Sequence, residues 1–93
     1  MNTQAFEAAL KAERYDEIVT VEKPAGYEMG EHRHPFDARA LITAGEITLV
    51  VEGAAQTYSV GQVFQLAAGT SHDESAGPAG VTYRVGRRKA ALL

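Results

Sequence analysis

The strongest constraint on this 93-residue chain is the spacing of its turn signals. From Tyr15 onward, glycine- and proline-bearing breaks leave no room for a crossover helix between the strands they separate. Lys23-Pro24-Ala25-Gly26, Ala44-Gly45, Glu52-Gly53, Val60-Gly61, Ala68-Gly69 and Gly77-Pro78-Ala79-Gly80, with Pro35 interrupting the longer interval from Tyr27 to Thr43, divide the chain into short stretches with a period near two. The spacing predicts eight short strands: Glu17–Glu22, Tyr27–His34, Ala38–Thr43, Glu46–Val51, Gln56–Val60, Gln62–Leu66, Ser71–Ser75 and Val81–Val85. Without room for crossover helices, such strands build an antiparallel sandwich or barrel. Ahead of them, residues from Asn2 to about Arg14 fit an amphipathic helix. Asn2 or Thr3 can cap it, and Phe6, Ala9, Leu10 and Glu13 fall at i, i+3, i+4 and i+7. Such a helix is expected to lie over the outside of a sheet or at a dimer contact. The expected division is a helix over 1–15, one barrel domain over 16–88 and a tail over 89–93.

Composition narrows the function classes. A net charge of −3 gives no electrostatic case for nucleic acid as the main partner. The absence of cysteine excludes a disulfide scaffold, thiolate metal sites, iron–sulfur clusters and a cysteine nucleophile. No apolar run approaches the ~18 residues of a membrane helix, and the acidic N-terminal stretch lacks the apolar core of a secretory signal. The expectation is a cytoplasmic protein without membrane or nucleic-acid partners.

Three histidines carry the chemistry: His32, His34 and His72. His32 and His34 are two residues apart in a stretch read as extended, so both imidazoles project to one side. His72 opens a later strand of a sheet that must curl on itself. Three imidazoles drawn from two strands suit a divalent transition metal with coordination positions left open.

With its glycines, this pattern resembles the cupin family. The family's first motif runs glycine, five residues, HxH, three or four residues, glutamate, six residues, glycine. Here Gly26 is followed by five residues, His32-Arg33-His34, three residues, Ala38, six residues and Gly45. The second motif runs glycine, five residues, proline, one residue, glycine, two residues, histidine, three residues, asparagine. Here Gly61 is followed by five residues, Ala67, Ala68, Gly69, two residues, His72, three residues and Ala76. All three histidines and all four motif glycines are in register over Gly26–Ala76. The resemblance implies a double-stranded β-helix (jelly-roll barrel) with the short N-terminal helix added. It also implies a metal held by His32, His34 and His72, and a homodimer.

The departures are specific. Ala38, Ala67 and Ala76 replace the motif's glutamate, proline and asparagine, and the missing glutamate is the family's usual fourth ligand. Two carboxylates stand near enough to replace it or to act as a general base. Glu74 lies two residues beyond His72 and shares its strand face. Asp37 would turn inward only through a bulge near Pro35-Phe36; otherwise it is a turn residue or a partner of Arg39.

Tyr27, Phe36, Arg39, Phe64 and Tyr83 are candidate pocket residues, with Met29 and Gln65 beside them. Arg39 or Arg84 could hold an anionic substrate, and Arg87-Arg88-Lys89 reads as a solvated basic run. The function expected is that of a small metal-dependent enzyme acting on a small molecule. Bound iron would serve dioxygen chemistry, whereas zinc, manganese or nickel would serve isomerase-, lyase- or hydrolase-like chemistry. The alternative is a non-catalytic barrel that binds or senses a small molecule, with or without metal.

Overall fold

A computed structural model describes residues 2–89. Helix α1 (Thr3–Ala12) precedes six strands: β1 (Glu17–Lys23), β2 (Glu28–His32), β3 (Phe36–Val51), β4 (Ala54–Ser59), β5 (Val63–Leu66) and β6 (His72–Lys89). Six strands replace the eight expected because β3 and β6 each join two of them. Both long strands bend, and each serves two four-stranded layers. In one layer, β6 from Val81 to Arg87 lies between β1 and the first part of β3, whose other edge pairs β5. In the other, β6 from His72 to Ala76 lies between β2 and the last part of β3, whose other edge pairs β4. The antiparallel layers face each other as a jelly-roll barrel.

The bends fall where the sequence signalled turns. The β3–β6 register shifts on both sides of Ala44-Gly45, and Gly77–Gly80 bulges out of β6 there. Gly45 and Gly80 have φ of +69° and +79°, which L side chains rarely adopt. A Cβ at Gly45 would also strike the Gly80 carbonyl. The two glycines therefore let the layers fold over without ending either strand.

Strand alternation divides the apolar residues between two cores. Ala38, Ala40, Ile42, Ile47, Leu49, Phe64, Val81, Tyr83 and Val85 fill the barrel. Leu41, with partly buried Ile18 and Val63, turns outward and meets Phe6, Leu10 and Tyr15. This second core holds α1 against the outer surface, as the helical stripe predicted. Asn2 caps α1, its side chain accepting from Ala5 N at 2.7 Å. The helix stops at Ala12, earlier than expected, in a Schellman arrangement: Tyr15 N donates to Leu10 O and Arg14 N to Lys11 O. Arg14 takes the left-handed position at φ +65°.

The outward residues include two arginines considered for the pocket. Arg39 pairs with Glu13 at 2.6 Å, and Arg84 pairs with Glu7 at 2.6 Å. Both lie under the helix on the outer face, because their neighbours in sequence, Ala38, Ala40 and Val85, occupy the inner one. Gln65 is exposed. Arg87 and Arg88 are also no tail: they lie in β6, paired with Glu17 and Asp37 at 3.0 Å each. Strand β6 continues through Lys89, and 90–93 lie outside the described residues. No helix among the described residues is long and apolar enough to cross a membrane.

Candidate metal centre

His32, His34, His72 and Glu74 meet inside one end of the barrel, each offering a ligand atom within 4.8 Å of the others. His32 ends β2, and His72 stands opposite it at the start of β6. Antiparallel partners project to the same side, so this pairing alone brings two imidazoles together. Their ring centroids are 4.3 Å apart. Glu74 follows His72 by two residues on the same face, as its spacing predicted.

His34 arrives differently. The sequence placed it inside a strand, but β2 ends at His32 and His34 lies in the link to β3. Its backbone is held there by Gly69 N, which donates to His34 O at 2.9 Å. The His34 ring still lies on the His32 side, with centroids 4.9 Å apart, and Phe36 stacks on it at 4.9 Å and 18°.

Two of the imidazoles are oriented by the backbone. His32 Nδ1 lies 2.8 Å from Gly30 O, and His72 Nδ1 lies 3.0 Å from Thr70 O. A carbonyl can only accept, so Nδ1 carries the proton in both rings. With the ring neutral, each Nε2 presents a lone pair to the centre, which is how protein metal sites fix their histidine ligands. Burial, followed by the neighbouring His32 and His72 rings, lowers the His34 pKa below the ordinary histidine value, which favours its neutral form.

The His32 Nε2 atom is buried without a hydrogen-bond partner. Glu74 Oε1 lies 3.0 Å from it, near enough for an ion pair but outside hydrogen-bond geometry. A neutral ring would set a lone pair against a carboxylate oxygen, which is repulsive unless a positive charge stands between them. Three nitrogen donors and one oxygen donor converging on such a point are a suitable ligand set for a divalent transition metal. By this test, the residues fit a metal.

Asp37 does not join the group. Its Oδ1 accepts from Ala68 N at 2.8 Å and its Oδ2 accepts from Arg88 Nη2 at 3.0 Å. These bonds, the backbone one first, hold its pKa below the usual carboxylate value. Its partner is Arg88; Arg39, the partner weighed from the sequence, bonds Glu13.

The remaining pocket candidates spread over the interior. Tyr27 and Tyr83 are within electrostatic reach of Glu74. Burial first, then the Glu74 charge, raises both phenol pKa values, so both stay protonated at neutral pH. Tyr27 Oη lies 3.6 Å from Sδ of the exposed Met29. Phe64 sits deeper, edge-on to Tyr83 at 5.4 Å and 5.8 Å from Tyr58, as core packing. A cleft of about 920 Å³ opens beside His34 and Phe36, lined also by Arg33, Ala68, Arg87 and Arg88. Sequence reasoning missed Arg87. Its strand position two residues beyond buried Val85 was the available signal.

No family model matches the chain, and no curated protein matches it in sequence. Solved structures do match. The Schizosaccharomyces pombe Cnp3 cupin domain aligns with a TM-score of 0.70 and 20% identity, over 78% of this chain and 55% of that one. KdgF from Halomonas sp. aligns with a TM-score of 0.64 and 21% identity, over 78% and 68%. The DMSP lyase DddQ from Ruegeria pomeroyi DSS-3 aligns with a TM-score of 0.68 and 24% identity, over 81% and 38%. The chain thus spans little more than half of the Cnp3 domain and well under half of the lyase. At these identities the likeness concerns the fold: this chain has the double-stranded β-helix fold of the cupins.

Proposed function

We propose that the chain binds one divalent transition metal through His32, His34, His72 and Glu74, and that it acts on a small molecule at this centre. The observation that carries the reading is the unpartnered His32 Nε2 facing Glu74 Oε1 at 3.0 Å, beside two further imidazoles. Glu74 takes over the fourth position that Ala38 leaves empty of a ligand. When bound, the metal would supply Lewis-acid or redox chemistry. The chain's own residues do the rest. Gly30 O and Thr70 O hold the His32 and His72 rings, Phe36 fixes His34 from the side, and Tyr27 holds a phenolic proton near Glu74.

An enzyme of lyase, isomerase or dioxygenase type is the first reading. Its fold is shared with a DMSP lyase and with KdgF, which supports the class without fixing the reaction. The filled interior favours a second reading, a non-catalytic barrel that binds or senses a small molecule. Phe64, Tyr58 and Tyr83 pack against one another in the interior, and the cleft beside His34 would be a ligand's way in. A cytoplasmic homodimer completes the proposal, and sedimentation of the purified protein checks its assembly.

The deciding experiment is elemental analysis of untagged protein purified without chelators, beside a His32→Ala/His72→Ala double variant. The expected result is near-stoichiometric metal in the wild type and none in the variant. Metal absent from both, even after reconstitution, would overturn the metal reading. Metal-independent stabilisation by a small molecule would then favour the binding module.

A further inference from the structure

Arg87 belongs to no part of the metal group, yet its position is unusual for an arginine. It lies opposite Ala38 in the β3–β6 register, and opposed residues of an antiparallel pair share a face. Ala38 is buried in the barrel core, as is Val85 two residues before Arg87. Arg87 therefore stands on the interior face, at the open end of the barrel beside the centre. Its guanidinium carbon is 5.3 Å from the Phe36 ring centroid, and Phe36 stacks on His34. Arginine, phenylalanine and histidine succeed one another along the wall of the 920 Å³ cleft.

Electrostatics single out the same place. Arg33, Arg87, Arg88 and Lys89 line the cleft, against Asp16 and Glu17. Asp37 offsets Arg88 from outside the lining. Four cations against three carboxylates leave one positive charge in excess, within a chain whose net charge is −3. Arg88 is engaged as a brace, each of its three guanidinium nitrogens bonded to Asp37 or to Glu13 O. Arg87 is not: Glu17 takes Nη1 at 3.0 Å, and both side chains are partly exposed. Its other N–H groups form no hydrogen bond among the described residues. Pro35, Phe36 and Ala68 give the cleft an apolar wall alongside this fork.

We infer that the ligand entering this cleft is a small carboxylate with an apolar body, and that Arg87 is the residue that binds its carboxylate. A planar guanidinium edge matches a carboxylate with two parallel charge-assisted bonds. The apolar body lies along Phe36, which directs it towards the His34 side of the centre. The inference deepens the proposed function by naming a ligand class for the same site, and it rests on that reading for the ligand's destination.

Phenylacetate and its uncharged isostere phenylacetamide are suitable probes, titrated into wild-type, Arg87→Gln and Glu17→Gln protein and followed by NMR. Each titration is run with chelator and with Co(II). Wild type is expected to prefer the acid by roughly tenfold or more in both conditions, as two charge-assisted bonds imply. Arg87→Gln loses that preference, while Glu17→Gln strengthens it by removing the competing carboxylate. In the Arg87→Gln/Glu17→Gln double variant that gain should vanish, whereas a general charge effect of Glu17 would persist. A preference that survives Arg87→Gln, or no binding of the acid to wild type at its solubility limit, overturns the inference. A preference seen only with Co(II) and unaffected at Arg87 overturns it too, while leaving the metal reading intact. If Co(II) never binds but the chelated protein retains an Arg87-dependent preference, the metal reading fails and the carboxylate site stands.

Discussion

Glu74 Oε1 lies 3.0 Å from His32 Nε2 although the two residues come from different strands, β6 and β2. One bulge brings them together. The β2–β6 register shifts between Met29 and His32, so Met29 opposes Glu74 while His32 opposes His72. The carboxylate of the group thus comes from β6, while Ala38 on β3 offers no ligand atom. Glu74→Gln is expected to weaken Zn(II) binding by more than the roughly 10–100-fold that loss of an outer-shell partner costs. Asp37→Asn, bonded elsewhere, should leave it unchanged. Competition titration against a chelator measures both, and equal affinities for wild type and Glu74→Gln would remove Glu74 from the ligand set.

Gly86 supplies the close approach by which α1 docks. A Cβ built there would lie 2.9 Å from both Leu10 Cδ atoms and 3.0 Å from Tyr15 Cβ. Gly86→Ala should therefore cost about 1–3 kcal/mol through overpacking. That corresponds to a fall in Tm of about 4–8 °C for each kcal/mol in a domain of this size. Leu10→Ala alone should cost about 2–5 kcal/mol by cavity formation. In the double variant the added methyl fills part of the cavity, so the two costs should sum to more than the double variant's. Thermal unfolding of the three proteins tests this, and strict additivity would mean that Gly86 does not set the helix contact.

Much of this arrangement was legible in the residues, for reasons that also explain the failures. Strand period two correctly placed Glu74 beside His72, and the HxH spacing placed two imidazoles on one side even though β2 stops at His32. The helical stripe of Phe6 and Leu10 found its sheet. The eight-strand expectation failed at Ala44-Gly45 and at Gly77–Gly80, because a glycine with positive φ leaves the same sequence signature in a bulge as in a turn. Arg39 was misplaced because a short run with both faces buried, Ala38–Ile42, does not reveal which face meets the barrel and which meets the helix. The partnership of Asp37 with Arg88 spans 51 positions of sequence and could be seen only in the folded chain.

The two kinds of positive-φ glycine should separate on substitution. Gly53 has φ +78° and open space around its added Cβ, so Gly53→Ala should cost about 1–2 kcal/mol of backbone strain alone. Gly45, at φ +69°, adds the collision with the Gly80 carbonyl where β3 and β6 bend together. Gly45→Ala should be clearly the more destabilising of the pair and should disturb the metal group, since the bend sets how His72 and Glu74 approach β2. Denaturant unfolding measures the first effect and Zn(II) affinity the second. Similar losses for both substitutions would show that the two glycines contribute only their φ.

Acid sensitivity should trace to Asp37. The backbone bond from Ala68, then Arg88, depresses its folded-state pKa. A depressed carboxyl contributes stability that is fully present above the unfolded value of about 3.9 and is lost as pH falls through the folded one. The window is therefore below about pH 4. The carboxylate is substantially solvated, so the effect is discounted for screening. What it holds is nonetheless specific: the end of β6, the loop before it and, through Arg88, the Glu13 carbonyl at the end of α1. Asp37→Asn should lower Tm at pH 7, and the difference from wild type should shrink as the pH is taken below 4, where wild type protonates the same group. Melting curves from pH 7 to pH 3 test the sign. A gap that widens on acidification would mean that protonation of Asp37 is not what the fold loses in acid.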